Sequence, residues 1–343
     1  MNGFAASQMP SGPADREGKT LDNWRECRHD RDDTPAKPLP GNRRRSNRRV
    51  FHFPMKYGKP HLPYEDQVDL LIRRGLACSD RAVTLFGLKQ ISYYRLSAYF
   101  IPFKDPATGN FRPGTAFEQI IDLYRFDADL RRLVREGLDR IEISVRAVIT
   151  YEIGKDLGVF GYADSANFAA AFNHADFIRI LRREEGRSTE VFIGHYRTKY
   201  TSETELPVWM ATELISFGAL SKMYEHLRSG LRKKIAREFN QPQPVFVSWL
   251  HSLTAVRNVC AHHSRLWNRE LAVKPELPVG WKASGIGNDR FYVIALIIQT
   301  LLTDIAPDSL WGERLKALFN AHPTVNLRAM QFPANWQSLA LWK

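Results

Sequence analysis

A single apolar period runs from about Thr115 to about Gly154, and it constrains the fold of this chain more than any other feature. Ile120, Leu123, Tyr124, Phe126, Leu130, Val134, Leu138, Ile141, Val145 and Val148 recur at steps of three and four residues, which keeps them on one side of one helix. A helix of roughly 60 Å cannot bury such a stripe by itself, so other elements must pack along it. Strand-type alternation is hard to find beyond Tyr64, and the expected fold class is all-α.

Shorter helical patterns flank the long one. The first, about Glu65 to Leu76, stops at Gly75-Leu76, where glycine suits a C-terminal cap. A second follows Ser79-Asp80, and a third holds ISYYRLSAYFIPF from Ile91. Further helices are predicted over about 174–185, 188–200, 207–228, 230–239, 243–266, 288–304 and 308–320, with Pro207 in a first turn and Asn240-Gln241-Pro242 as a break. The longest apolar run, Phe291 to Leu302, has 12 residues; a membrane span needs about 20, so this run reads as a buried helix. The expected organisation is one helical body over 57–343 behind a tail over 1–56, with no internal repeat.

The tail is rich in Pro, Gly, Asp and Arg and shows no apolar period, so it reads as disordered. Through Pro60 it holds thirteen Lys/Arg against seven Asp/Glu, half of the chain's net charge of +12. Such an excess favours a polyanionic partner. Arg43, Arg44, Arg45, Arg48 and Arg49 concentrate it. They form either an RNA-binding arm or a solvated leader, with Met55 as a candidate true start. Cys27, Cys78 and Cys260 lie far apart and form no CxxC pair, which fits a reducing cytoplasm and supports neither a disulfide scaffold nor a zinc ribbon. There is no apolar leader segment to suggest secretion.

Several chemistries are unsupported: the chain has no G-x-x-x-x-G-K-[ST], G-x-G-x-x-G, H-E-x-x-H or G-x-S-x-G. The chemistry-bearing segment is WLHSLTAVRNVCAHHSRLWNR, residues 249–269. On a helix drawn from Phe246, Leu250, Leu253 and Cys260 cluster within about 40° of it as a core stripe, and Arg257 falls at about 20°, inside that stripe. A guanidinium keeps its charge at any ordinary pH, so it needs an anion or a cleft there. The plainer alternative is a buried ion pair, for instance with Glu142. Asn258 and His262 are four residues apart on the polar flank, with His263 beside them. Adjacent histidines on a helix diverge by about 100°, which weakens a metal reading. Glu142 and Arg146 have ion-pair spacing on the long helix, and Glu213 is a candidate anion for Arg257 or Arg146. Tyr93, Tyr94 and Arg95 read either as core or as an RNA-stacking group.

Arg257-Asn258-Val259-Cys260-Ala261-His262 resembles the R-N-x-x-x-H form of the motif of HEPN-superfamily ribonucleases. ISYYRLSAYFIPF from Ile91, FDADLRRLVREGLDRIEISVRA from Phe126, LPVWMATELISFGALSKMY from Leu206 and RNVCAHHSRLWNR from Arg257 together resemble the Abi-like abortive-infection family (AbiD/AbiF type) over roughly residues 60–270. The resemblance implies a HEPN-like helical bundle with additional N- and C-terminal helices. It also implies a homodimer that joins two motifs and metal-independent endoribonuclease activity without a cofactor. The biological setting would be phage defence or an RNA-regulated toxin, with RNA as substrate and in some members a small noncoding RNA as regulator. Carried over, Arg257 and His262 are the catalytic pair and Asn258 and His263 are accessory. Glu142, Arg146 and Glu213 are candidates to brace them.

The chemistry of the residue types agrees with this assignment. Cleaving RNA without metal needs a base for the 2′-hydroxyl, an acid for the 5′ leaving oxygen and positive charge on the phosphorane. Histidine titrates near neutrality, and arginine offers a two-pronged fork to phosphate. One protomer supplies one motif histidine for two proton transfers, which a twofold composite site resolves. The competing readings are a catalytically silent RNA-binding or scaffold protein of the same fold and, in a third class, a DNA-binding regulator, for which no exposed recognition helix is found.

Overall fold

A computed structural model describes residues 57, 58 and 60–342. The tail over 1–56, its arginines Arg43, Arg44, Arg45, Arg48 and Arg49, and Cys27 lie outside the described residues. Among the described residues there are thirteen α-helices and no strand, so the fold is all-α. None of these helices is long and apolar enough to cross a membrane. The described chain forms two compact units, one reaching to Tyr93 and including Pro102–Thr115, the other made of Tyr94–Ile101 and the chain from Ala116 onward.

In the first unit α1 (Tyr64–Arg73) packs on α2 (Arg81–Ile91) and buries Val68, Leu70 and Leu71. The glycine stop predicted for α1 is present, with the last helical residue at Arg73. Gly75 takes the left-handed conformation at φ +87°, and the Gly75 and Leu76 amides fold back onto the carbonyls of Ile72 and Leu71 at 2.9 and 3.0 Å. Asp80 caps α2 by accepting from the Ala82 and Val83 amides at 2.8 and 3.1 Å.

The second unit is organised around one helix. After α3 (Tyr93–Phe100), α4 (Phe117–Leu157) runs for 41 residues. Its buried stripe contains Ile120, Leu123, Phe126, Leu130, Val134, Leu138, Ile141, Val145, Ile149 and Ile153, close to the sequence pattern. Tyr124 and Val148 are half-buried, and Ile149 and Ile153 continue the stripe in place of Val148. The helix ends at Gly158, where φ is +83°.

Beyond it come α5 (His174–Arg187), α6 (Val191–Lys199), α7 (Val208–Leu214), α8 (Phe217–His226), α9 (Ser229–Arg237) and α10 (Gln243–Ala261). α11 (Val279–Ala283), α12 (Phe291–Ile305) and α13 (Trp311–Ala321) complete the unit. Helices α7, α8, α9, α10, α12 and α13 all contact α4. The apolar run in α12 is buried, from Phe291 through Ile298 without a break. It lies against α4 where Gly137 permits close approach: a Cβ at Gly137 would stand 2.8 Å from Ile298 Cγ2. Nearby, Trp311 Nε1 donates to the Leu133 carbonyl at 2.8 Å.

Three predicted helices differ from the structure. The one expected to hold ISYYRLSAYFIPF is split: Ile91 ends α2, Ser92 breaks the chain at φ 75°, and α3 stops at Phe100 before a 3₁₀ turn over Ile101–Phe103. The one expected over 207–228 is broken: Ile215 is extended, and Ser216 starts α8 by accepting from the Ala219 amide at 3.3 Å. The one expected over 243–266 stops at Ala261, for a reason found in the candidate site.

Candidate active site

Helix α10 is held by a wide apolar face. Trp249, Leu250, Leu253, Val256 and Cys260 are buried on it, with Ser252 among them. The inclusion of Trp249, Ser252 and Val256 places the centre of this face about 40–50° from Phe246 on the side away from Arg257. Arg257, about 20° to the other side, still lies in angle between the fully buried Phe246 and Leu250, yet its side chain is 41% exposed. The arginine expected on the core stripe is there in angle, and its guanidinium reaches toward solvent. Its expected partner is present: Nε lies 3.9 Å from Glu142 Oε2, at the outer limit of an ion pair.

Glu142 is occupied more closely elsewhere. Its Oε1 accepts from Arg146 Nη2 at 2.9 Å, and Arg146 Nη1 reaches Glu213 Oε2 at 3.2 Å. Arg146 Nη2 also approaches the Ile215 carbonyl at 3.3 Å, which the break between α7 and α8 exposes to it. Glu142, Arg146, Glu213 and Arg257 thus form one cluster of two carboxylates and two guanidiniums. The assignment of Glu213 to Arg146, rather than Arg257, settles the alternative left open by the sequence.

The end of α10 explains the position of the histidines. The His263 amide donates to the Cys260 carbonyl at 3.1 Å and the Ser264 amide to the Val259 carbonyl at 3.0 Å. His263 itself is left-handed at φ 53°. These are the two return bonds of a Schellman cap. Glycine is the usual residue at such a position because other L-residues meet a Cβ clash there. His262 is consequently the capping residue and not part of α10, and both histidines are exposed. No side-chain hydrogen bond or ion pair links His262 or Asn258 to Arg257 among the described residues. His263 diverges from them to line a separate cavity with Arg95.

The strained turn is held from outside. Arg95 Nη1 donates to the His263 carbonyl at 2.7 Å, and Arg265 Nη1 to the Ala98 carbonyl at 2.7 Å. Immediately after, the amides of Leu266 and Trp267 donate to Asp127 Oδ1 at 3.0 and 2.6 Å. Tyr99 donates its hydroxyl to Asp127 Oδ2 at 2.6 Å, and Arg131 forms an ion pair with the same oxygen. Asp127 is fully buried and Arg131 nearly so. Burial, then the Asp127 charge, pushes the Tyr99 hydroxyl well above its ordinary range, so it remains a donor. Burial pulls Arg265 below the usual guanidinium range, although the Asp127 charge opposes this.

Asp127, Arg131, Tyr99 and Arg265 were not among the residues singled out from sequence. The available signal was an aspartate beside Phe126 on the apolar stripe, four residues before an arginine. Of the aromatic group in α3, Tyr94 is 74% exposed and so does not join the core, and Arg95 serves the turn. Tyr93 is half-buried, its hydroxyl accepting from Arg74 Nη1 at 3.4 Å.

Cys260 sits just before the turn, and burial pushes its thiol up to about 12. A thiol reacts through its thiolate, so Cys260 should be inert below that pH. Iodoacetamide at pH 8 should leave Cys260 unmodified in the native protein and alkylate it after denaturation, read by peptide mass spectrometry. Rapid native labelling would mean that the α10 terminus is open.

An all-helical body in which one helix exposes an arginine and ends on an exposed histidine five residues later defines the class: a helical protein carrying an R-x4-H pair at a helix terminus. The chain belongs to the Abi-like protein family, whose profile matches residues 87–268, just over half of its 343 residues. That membership supports a role in abortive infection. No curated protein and no solved structure matches the chain.

Proposed function

We propose that the chain is a metal-independent endoribonuclease of the HEPN type that acts in phage defence or as an RNA-regulated toxin in the cytoplasm. The reading is carried by the placement of Arg257. Its guanidinium is half exposed and tied to Glu142 at the limit of ion-pair distance, so it can turn to a phosphate without abandoning a strong partner. His262 is exposed five residues further on. Glu142, Arg146 and Glu213 brace the arginine; Asn258 and His263 flank the histidine.

In the proposed reaction one imidazole accepts the proton of a 2′-hydroxyl, and the 2′-oxygen bonds to the adjacent phosphorus. Arg257 stabilises the charge that develops on the phosphorane oxygens. The bond from phosphorus to the 5′-oxygen then breaks, and a second imidazole, His262 of the partner subunit, protonates the leaving oxygen. The products are a 2′,3′-cyclic phosphate and a 5′-hydroxyl. The assembly is a homodimer with the α10 ends facing across a twofold axis.

The Arg257–Glu142 contact also favours a second reading, in which Arg257 is structural and the protein binds RNA without cutting it. Incubation of the purified protein with total RNA in EDTA separates the two. The nuclease reading expects cleavage with cyclic phosphate ends, and intact RNA or a strict Mg²⁺ requirement would overturn it. Mixing Arg257→Ala with His262→Ala protein should restore part of the activity if the site is shared between protomers. Full activity of a monomer in light scattering would contradict the shared site.

A further inference from the structure

Besides the Arg257 cluster, the second unit contains a cavity of about 350 Å³ between α3, α4 and the end of α10. Arg95, Arg131, Arg132, Arg135 and His263 line it, and Tyr124 supplies an aromatic wall. Four arginines around one cavity repel one another, so their charge requires an explanation. Asp127 accounts for Arg131 and Asp129 for Arg132, each through an ion pair on α4 itself. Arg135 is exposed and has no carboxylate within ion-pair distance among the described residues. Arg132 keeps 77% of its side chain exposed despite its partner, so its fork remains open to a further anion.

The spacing suits this purpose. Arg131, Arg132 and Arg135 fall on adjacent turns of α4, with Arg131 and Arg135 four residues apart and on one face. Arg95 approaches from α3, where its bond to the His263 carbonyl fixes the guanidinium at the cavity rim. The volume lies at the lower end of the range for small-ligand clefts and is enough for one phosphate with its sugar and base. Planar guanidiniums arriving from different directions suit a tetrahedral oxyanion such as phosphate, whose oxygens point several ways.

We propose that this cavity is a phosphate-binding subsite, distinct from the Arg257 cluster, with Arg135 and Arg132 as its principal contacts and Tyr124 available to stack a base. It rests on the RNA reading only for the source of the phosphate. The phosphodiester of a bound strand and the terminal phosphate of a free nucleotide share the chemistry.

The test uses the full chain and three probes: inorganic phosphate, adenosine monophosphate, and a single-stranded RNA oligonucleotide with 2′-O-methyl groups throughout, which cannot be cleaved by 2′-hydroxyl attack. Binding is measured by calorimetry or anisotropy for wild type, Arg135→Ala, Arg132→Ala/Arg135→Ala and Arg257→Ala. Both cavity substitutions lie on exposed side chains, and circular dichroism checks that the variants fold. For a strand phosphate, Arg135→Ala weakens oligonucleotide binding about tenfold, and each lost contact lowers the salt slope by about 0.7. For a free nucleotide, the monophosphate binds more tightly than the oligonucleotide and is the probe lost on Arg135→Ala. Unchanged affinity and slope for all three probes, or sensitivity to Arg257→Ala alone, would overturn the subsite. Because no probe is cleaved, a protein without nuclease activity can still pass, so failure of the catalytic reading and failure of this one are distinguishable.

Discussion

His262→Ala and Arg257→Ala should each lower the rate of RNA cleavage in EDTA by about 100-fold or more, the usual loss when a principal acid, base or charge stabiliser is removed. The structure distinguishes the two substitutions from simple damage to the fold. His262 is exposed and makes no side-chain bond among the described residues, so its loss should leave thermal stability within about 0.5 kcal/mol. Arg257→Ala removes only a 3.9 Å contact with Glu142, which keeps its tighter bond to Arg146. Arg257→Lys is the sharper probe. It preserves the charge but not the fork, and a phosphorane held by two prongs should lose much of its stabilisation. The rate profile with pH should be bell-shaped, one limb for the base and one for the acid. Wild-type cleavage by His262→Ala would remove the histidine from the mechanism, whatever Arg257 does.

The largest stability effect is expected at Asp127. Asp127→Ala strands a nearly buried Arg131, leaves the Leu266 and Trp267 amides without their acceptor and deprives the Tyr99 hydroxyl of its partner. Removing one partner of a buried pair costs about 3–5 kcal/mol, a large part of the roughly 5–15 kcal/mol that holds a domain together. Urea denaturation should show this as a lower midpoint at unchanged slope. Asp127→Ala/Arg131→Met should recover part of the loss, because the uncompensated charge is gone while the two amides remain unsatisfied. A loss below about 1 kcal/mol for Asp127→Ala would show that the clamp does not hold the turn after α10.

The parts of this architecture that depend on repetition were legible in the sequence. Helix α4 is legible nearly to its ends because its stripe positions repeat the same message, and eight of the ten that the sequence offers are buried. Pairings at fixed helical spacing were also legible, since Glu142 and Arg146 are neighbours on any helix. What failed depended on single residues. Ser216 lies inside an apolar pattern, and nothing in that pattern signals that its hydroxyl would cap a new helix. The angle of Arg257 on its helix does not say how far a long side chain reaches toward solvent, and its 41% exposure depends on the neighbouring helices rather than on spacing. A histidine at φ 53° cannot be read from spacing, because its strain is imposed by Arg95 and the Asp127 clamp, both distant in sequence. Asp127 itself resembles a solvated helix carboxylate until the chain after α10 folds back onto it.

The long helix touches the segment around the motif at two separate places, Asp127 with Leu266 and Trp267, and Glu142 with Arg257. These attachments are fifteen residues apart on α4, roughly 22 Å. One residue inserted between them would advance the far end by about 1.5 Å and swing it by about 100°, so both attachments could not be kept. The interval from 127 to 142 is therefore closed to insertion and deletion, as is the interval from 257 to 267. Length can vary where neither attachment is affected, as in the loop between α4 and α5 or in the stretch that follows Trp267 on the way to α11.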